Sequence, residues 1–158
     1  MKKHQSGFTL AEMTVVIVVL GILSAFFIPK FEKLIVDARI AKVERLAGTL
    51  QEAAAITHAT QIAEQLGEAI SVDMNGTAAG GTVTMDNRYP TANTTGITAA
   101  IDSYIAGSVF GADKGQFTDN GAGEYVLNGA TADCKVTYVG PAAVGELPTV
   151  TVSTTGCE

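Results

Sequence analysis

At 158 residues the chain supports one domain with a sizeable core plus an appendage, not two full domains. Ten Lys and Arg against 16 Asp and Glu leave a formal charge of −6, which argues against nucleic acid as the principal ligand, because phosphate binding needs clustered Lys and Arg. Trp is absent while Gly, Ala and Thr are abundant, a composition that suits a secreted β-containing domain more than a chemically busy enzyme.

The chain begins with a short cationic leader, Met1-Lys2-Lys3-His4-Gln5-Ser6-Gly7. From Phe8 to Ile28 the only charge is Glu12. As a helix this run is roughly 31 Å long, enough to cross a hydrocarbon core of about 30 Å. Lys2 and Lys3 flank the span and favour the cytoplasmic side, so the remaining chain is expected to face outward. A secretory signal peptide fits less well: Leu23-Ser24-Ala25 places Leu at the outer site of an A-x-A-like cleavage motif, and Glu12 interrupts the apolar region. No cysteine near the run supports a lipoprotein anchor.

A basic leader ending in Gly, then Phe8-Thr9-Leu10-Ala11-Glu12 and a hydrophobic helix, resembles the type IV prepilin signature. The resemblance implies that a prepilin peptidase cuts after Gly7 and methylates the new terminal residue, Phe8. Glu12 falls where that family keeps an acid; Ala11 departs from the commoner Ile. Loss of Lys2 and Lys3 with the leader takes the formal charge from −6 to −8. Independently of the family, an ionisable residue in an apolar segment usually faces a partner or a cavity. The freed α-amino group of Phe8 is such a partner, and supplied by a neighbouring subunit it sets the axial register of a filament. The alternative is that Glu12 lies at headgroup level and marks where the span begins.

Two breakers, Gly21 and Pro29, lie in or at the end of the span. Gly costs about 1 kcal/mol relative to Ala in a helix, and Pro29 removes the hydrogen bond to the Ala25 carbonyl. In similar pilins this stretch loses helicity when subunits pack, whereas a retained helix is expected for the isolated subunit in lipid. Phe26, Phe27 and Phe31 cluster near it and read as packing between subunits.

From Lys30 the pattern becomes amphipathic. Val36, Ile40, Val43, Ala47, Leu50 and Ala54 form one stripe, with Glu32, Lys33, Asp37, Arg39, Glu44 and Arg45 on other faces. Gly67 is the expected stop after Leu66. A rod over residues 8–66 is roughly 85 to 90 Å long. A head of about 90 residues has a radius of gyration near 12 Å and covers only its second half. The first half needs lipid or copies of itself as cover.

Beyond Gly67, residues 69–73 and 82–86 read as strands or extended connectors around Met74-Asn75-Gly76 and Ala78-Ala79-Gly80-Gly81, and Asn87-Arg88-Tyr89-Pro90 as a turn. Thr95 or Gly96 opens a short helix carrying Ile97, Ala100, Ile101 and Ile105 and ending near Gly107. A loop is expected over residues 111–123, then antiparallel strands at 125–127, 135–139 and 149–153, with Pro141 and Pro148 punctuating the last connection.

Cys134 and Cys157, the only cysteines, suggest a disulfide in an oxidising compartment, worth roughly 3 kcal/mol. Type IV pilins resemble this too, with a cysteine pair closing a C-terminal loop. The nearest likeness is to mannose-sensitive haemagglutinin pilins, through Ile17-Val18-Val19-Leu20-Gly21-Ile22-Leu23, Pro29-Lys30-Phe31, Asp37-Ala38-Arg39, Tyr89-Pro90-Thr91-Ala92 and Cys134-Lys135-Val136-Thr137-Tyr138. His58 stands alone, without an acid or nucleophile at helical spacing, and reads as a surface or interface residue. Asp119-Asn120-Gly121 with Glu124, and Asp73 with Asn75 and Gly76, offer oxygen ligands without the EF-hand pattern and read as ordinary acidic turns. Asn75-Gly76-Thr77 and Asn93-Thr94-Thr95 match the N-glycosylation triplet and mark exposed loops.

The expected fold is α+β: a leader (1–7), a hydrophobic transmembrane and assembly helix (8–29) that protrudes, an amphipathic helix (30–66), and a globular head with an antiparallel sheet (67–158). The expected function is that of a filament subunit in a type IV pilus, serving adhesion or motility. It needs no catalytic residue, metal or cofactor. Its partners are copies of itself, the prepilin peptidase, the inner-membrane assembly machinery and a surface receptor. It starts in the bacterial inner membrane and ends in an extracellular pilus. A pseudopilin of a type II secretion system, which stays periplasmic, a minor pilin, and a membrane-anchored domain that never polymerises are the alternatives.

Overall fold

The computed structural model describes residues 7–74, 81–104 and 116–158. Outside the described residues lie most of the leader, Asn75-Gly76-Thr77, Ala78-Ala79-Gly80, Ile105, Gly107 and the first part of the 111–123 loop. The chain divides into two units, one ending at Ala38 and the other formed by Arg39–Glu158.

Helix α1, Leu10–Ala63, is one continuous helix of 54 residues. In the first unit every large apolar side chain described, from Phe8 to Ile35, is at least 46% exposed. From Val43 onward the helix turns one face inward. Val43, Ala47, Leu50 and Ala54 are buried as their 4/3 spacing predicts, Leu46 and Ala53 widen the stripe, and Thr57 and Gln61 extend it by two turns. The helix stops earlier than Leu66 and by a different residue from Gly67. Gln65 takes a positive φ of 54°, its N–H bonds to the Ile62 carbonyl, and Leu66 N–H bonds to the Gln61 carbonyl, which is a Schellman closure. The buried Gln61 amide then holds the outgoing chain, donating to the carbonyls of Gly67 at 2.9 Å and Ile70 at 3.1 Å.

Two small hairpins follow. β1 (Val72–Asp73) pairs antiparallel with β2 (Thr82–Val83), and β3 (Met85–Asp86) with β4 (Tyr89–Pro90). The turn expected at residues 87–90 is therefore shorter: Asn87 and Arg88 alone make it, with φ of 49° and 71°, the requirement of a two-residue type I′ turn. Tyr89 and Pro90 belong to the strand.

Asn93 caps the next element, its side-chain oxygen accepting from Gly96 N–H at 2.8 Å. A π-helical turn, Thr94–Thr98, leads into α2, Ala99–Tyr104. Ile97, Ala100 and Ile101, which the sequence places together on one side of this short helix, are fully buried. Gly96 is required because a Cβ there would run into the Thr91 backbone.

The main sheet is a four-stranded antiparallel meander, β5 (Phe117–Asp119), β6 (Glu124–Leu127), β7 (Lys135–Val139) and β8 (Thr149–Ser153), in that spatial order. Strand β5 falls inside the stretch read as loop; its register with β6 pairs Phe117 with Leu127 and Asp119 with Tyr125. Tyr125, Leu127, Val136 and Tyr138 alternate into the core. Both tyrosine hydroxyls have partners there: Tyr125 shares a 2.7 Å bond with Thr98, and Tyr138 donates to the Pro90 carbonyl at 2.9 Å. On the outer face the Lys135 ammonium lies 2.9 Å from Glu124, holding that carboxyl below its ordinary range.

Candidate functional site

Gly7, Phe8 and Thr9 precede α1 in irregular, exposed backbone, so the Gly7–Phe8 bond lies outside the helix. Its chain neighbours aside, no described atom lies within 4 Å of the position a Gly7 Cβ would take. Helix α1 begins on a reciprocal cap. Thr9 N–H and Thr9 Oγ1 each donate to Glu12 Oε2 at 2.8 Å, and Glu12 N–H donates back to Thr9 Oγ1 at 3.3 Å. This is the capping box of a Thr-x-x-Glu sequence, and it engages donors that the first helical turn leaves unpaired. The sequence reading treated Glu12 as an acid awaiting a partner and overlooked this pattern, although the spacing of Thr9 and Glu12 carries it. Both contacts fall on Oε2; among the described residues no donor engages Oε1.

The other hydroxyls of the apolar run turn back on their own helix. Thr14 Oγ1 donates to the Ala11 carbonyl at 2.9 Å and Ser24 Oγ to the Leu20 carbonyl at 2.7 Å. A helix surrounded by hydrocarbon requires this internal satisfaction. The backbone stays helical through Gly21 and Pro29. Its own helix backbone aside, a Cβ on Gly21 would meet nothing within 4 Å among the described residues, so no packing among them requires the glycine.

In the second unit Cys134 and Cys157 form a disulfide with Cα atoms 4.8 Å apart, closing a separation of 23 residues. Arg39, which the sequence reading placed off the apolar stripe with no role, reaches this end of the chain. Its Nη1 donates to the main-chain oxygens of Cys157 at 3.1 Å and Glu158 at 2.7 Å, and Nη2 to the Gly129 carbonyl at 3.0 Å. The rigid fork of a guanidinium suits three acceptors at once, but nothing in local spacing announces the contact.

His58, read as a surface or interface residue, is half-buried: its ring stacks on Tyr89 at 4.2 Å, and Nδ1–H donates to the Arg88 carbonyl at 2.7 Å. The acidic turn at residues 119–124 is held by its own hydrogen bonds. Asp119 accepts from Gly121 N–H and from Thr98 Oγ1, both at 2.8 Å, while Glu124 accepts from Asn120 and Lys135. Among the described residues no group of three His, Cys, Asp or Glu is arranged to hold a metal ion.

Among known families, the model of the prokaryotic N-terminal methylation motif matches residues 2–28. No curated protein and no solved structure matches the chain. The chain thus carries the methylation motif on a long apolar helix, within a mixed α+β fold of small antiparallel sheets.

Proposed function

We propose that the chain is the structural subunit of a type IV pilus-like filament, in the subtype nearest to mannose-sensitive haemagglutinin pilins. The observation that carries this reading is an N-terminal helix whose apolar side chains are exposed from Phe8 to Ile35, joined to the methylation motif over residues 2–28. Such a surface is stable in a bilayer or against copies of itself, not in water.

In this reading prepilin peptidase cuts after Gly7 and methylates Phe8 while residues 8–29 anchor the precursor in the bacterial inner membrane. The assembly machinery then moves the subunit into a fibre whose core is built from these helices. Glu12 Oε1 accepts the Phe8 amine of a neighbouring subunit and fixes the axial step, while Oε2 stays on Thr9. Gly21 and Pro29 allow the helix to loosen locally as it packs. The amphipathic helix of residues 30–66 and the head of residues 67–158 form the fibre surface, which serves attachment or motility.

The disulfide favours a pilin over a pseudopilin of a type II secretion system, since the major pseudopilins typically lack such a loop. Electron microscopy of sheared surface fibres, with N-terminal sequencing of their main component, tests the proposal. The expected result is a chain beginning at N-methylated Phe8. Glu12→Ala is expected to leave the leader removed and the subunit in the membrane while abolishing fibres. A mutant that still builds fibres removes the role given to Glu12, and a wild-type chain that keeps residues 1–7 and stays monomeric overturns the whole reading. Loss of exoprotein secretion in a deletion strain, with no loss of surface fibres, assigns the chain to a pseudopilus.

A further inference from the structure

Strand β8 is the last strand of the main sheet, and among the described residues none pairs with its outer edge. The ladder shows which of its groups face outward. Leu127 N–H bonds to the Cys134 carbonyl and Tyr138 N–H to the Gly123 carbonyl, so alternate residues of β7, Val136 and Tyr138, direct their backbone groups towards β6. Lys135, Thr137 and Val139 then face β8, where they meet Ser153, Thr151 and Thr149. The amides and carbonyls of Val150 and Val152 are left pointing away from the sheet, and no described residue bonds to them from that side.

Natural edges are commonly guarded by Lys, by Pro or by a bulge. The segment Thr149-Val150-Thr151-Val152-Ser153 has none of these, and its register with β7 is unbroken. Val139 at the end of β7 and Val144 and Leu147 in the connection that follows are exposed, the last at 76%. From Val136 to Cys157 the only charge is Glu146, in a chain whose net charge is −6. Two copies repel one another over most of their acidic surface, and this stretch is where they approach with least opposition.

We propose that the β8 edge joins the chain to a second copy of itself in a neighbouring fibre, antiparallel about Thr151. This rests on the filament reading. In that register Val150 of one copy lies opposite Val152 of the other, so the outward amides and carbonyls satisfy each other reciprocally. Thr151 meets Thr151 at the axis in a non-hydrogen-bonded pair, where side chains come closest. A two-fold contact of this kind is isologous. Subunits within one polar fibre all point the same way and are related by a screw, so the two-fold is available only between fibres. The occupant is therefore a copy from outside the fibre, and the consequence is lateral bundling.

The test uses fibres sheared from cells making the full chain, scored by low-speed sedimentation and negative-stain microscopy. Wild-type fibres are expected to bundle and pellet. Thr151→Lys and Thr151→Glu fibres are each expected to run singly, because like charges meet at the axis, whereas a mixture of the two variants regains bundles. A folding defect cannot give that recovery. Single wild-type fibres, unchanged bundles in Thr151→Lys, a mixture that stays single, or bundles held by a second protein that Thr151→Lys loses each overturn the proposal while leaving the filament reading intact. Absence of any wild-type fibre overturns both.

Discussion

Arg39 shows how much one side chain can organise when its geometry fits several acceptors. Replacing it with Met leaves the oxygens of Gly129, Cys157 and Glu158 to water and is expected to cost about 1 to 2 kcal/mol, since these bonds lie at or near the surface. Lys should recover only part of that loss, because a single ammonium cannot address three oxygens from fixed directions. Urea denaturation of the full chain in mild detergent checks both values. Tyr125 and Tyr138 make a second prediction. Burial is the first cause raising each phenol above its ordinary value, so the native state holds these protons where the unfolded chain begins to release them. Their contribution is complete below about pH 10 and declines as pH rises beyond it, so stability should fall steeply above pH 10 while tyrosinate absorbance lags behind that of the unfolded chain. At this scale the sequence was partly legible. Glu12 stands out as a lone acid in an apolar run, whereas its bond to Thr9 shows only in the Thr-x-x-Glu spacing. Arg39 gave no local sign, since its acceptors are main-chain oxygens about 90 to 119 residues away.

Among the elements, the long helix and the last three strands were the easiest to read, for opposite reasons of periodicity. The stripe through Val43, Ala47, Leu50 and Ala54 repeats over several turns, and Val136 and Tyr138 alternate cleanly with Lys135 and Thr137. β5 was missed because three residues ending in Asp do not make a period, and only pairing with β6 defines the strand. The helix end was misplaced because Gly67 is the residue type that ordinarily closes a helix, whereas the chain uses Gln65 at positive φ. That difference is open to measurement: Gln65→Gly removes the side-chain strain of the left-handed position and is expected to stabilise the second unit by about 0.5 to 1 kcal/mol, read as a higher urea midpoint at unchanged slope. The π-helical turn had no periodic signature either. It follows from Asn93 capping Gly96 and from Gly96 lying against Thr91, contacts that involve the strand before it.

For the whole molecule, the sequence divides into an apolar N-terminal run and a more polar remainder. The described residues agree in chemistry: exposure of apolar groups up to Ile35, and a buried cluster of Val, Leu, Ile and Tyr beyond Val43. The compact units part at Ala38, some nine residues past Pro29. A polar remainder attached to an exposed apolar helix should fractionate with membranes, resist alkaline carbonate and be released by detergent; release by carbonate alone would show that the helix lies on the bilayer without entering it. The outward direction of the Val150 and Val152 backbone groups was not legible in the sequence, because it follows from the register of the β6–β7–β8 ladder. The cap at Thr9 has a consequence for maturation. Thr9 and Glu12 close the start of the helix with their own atoms, and the bond after Gly7 lies upstream of that closure. Under the proposed cut after Gly7, trimming would not unwind a single turn, and proteolysis would act as a change of address for a rod that is already finished.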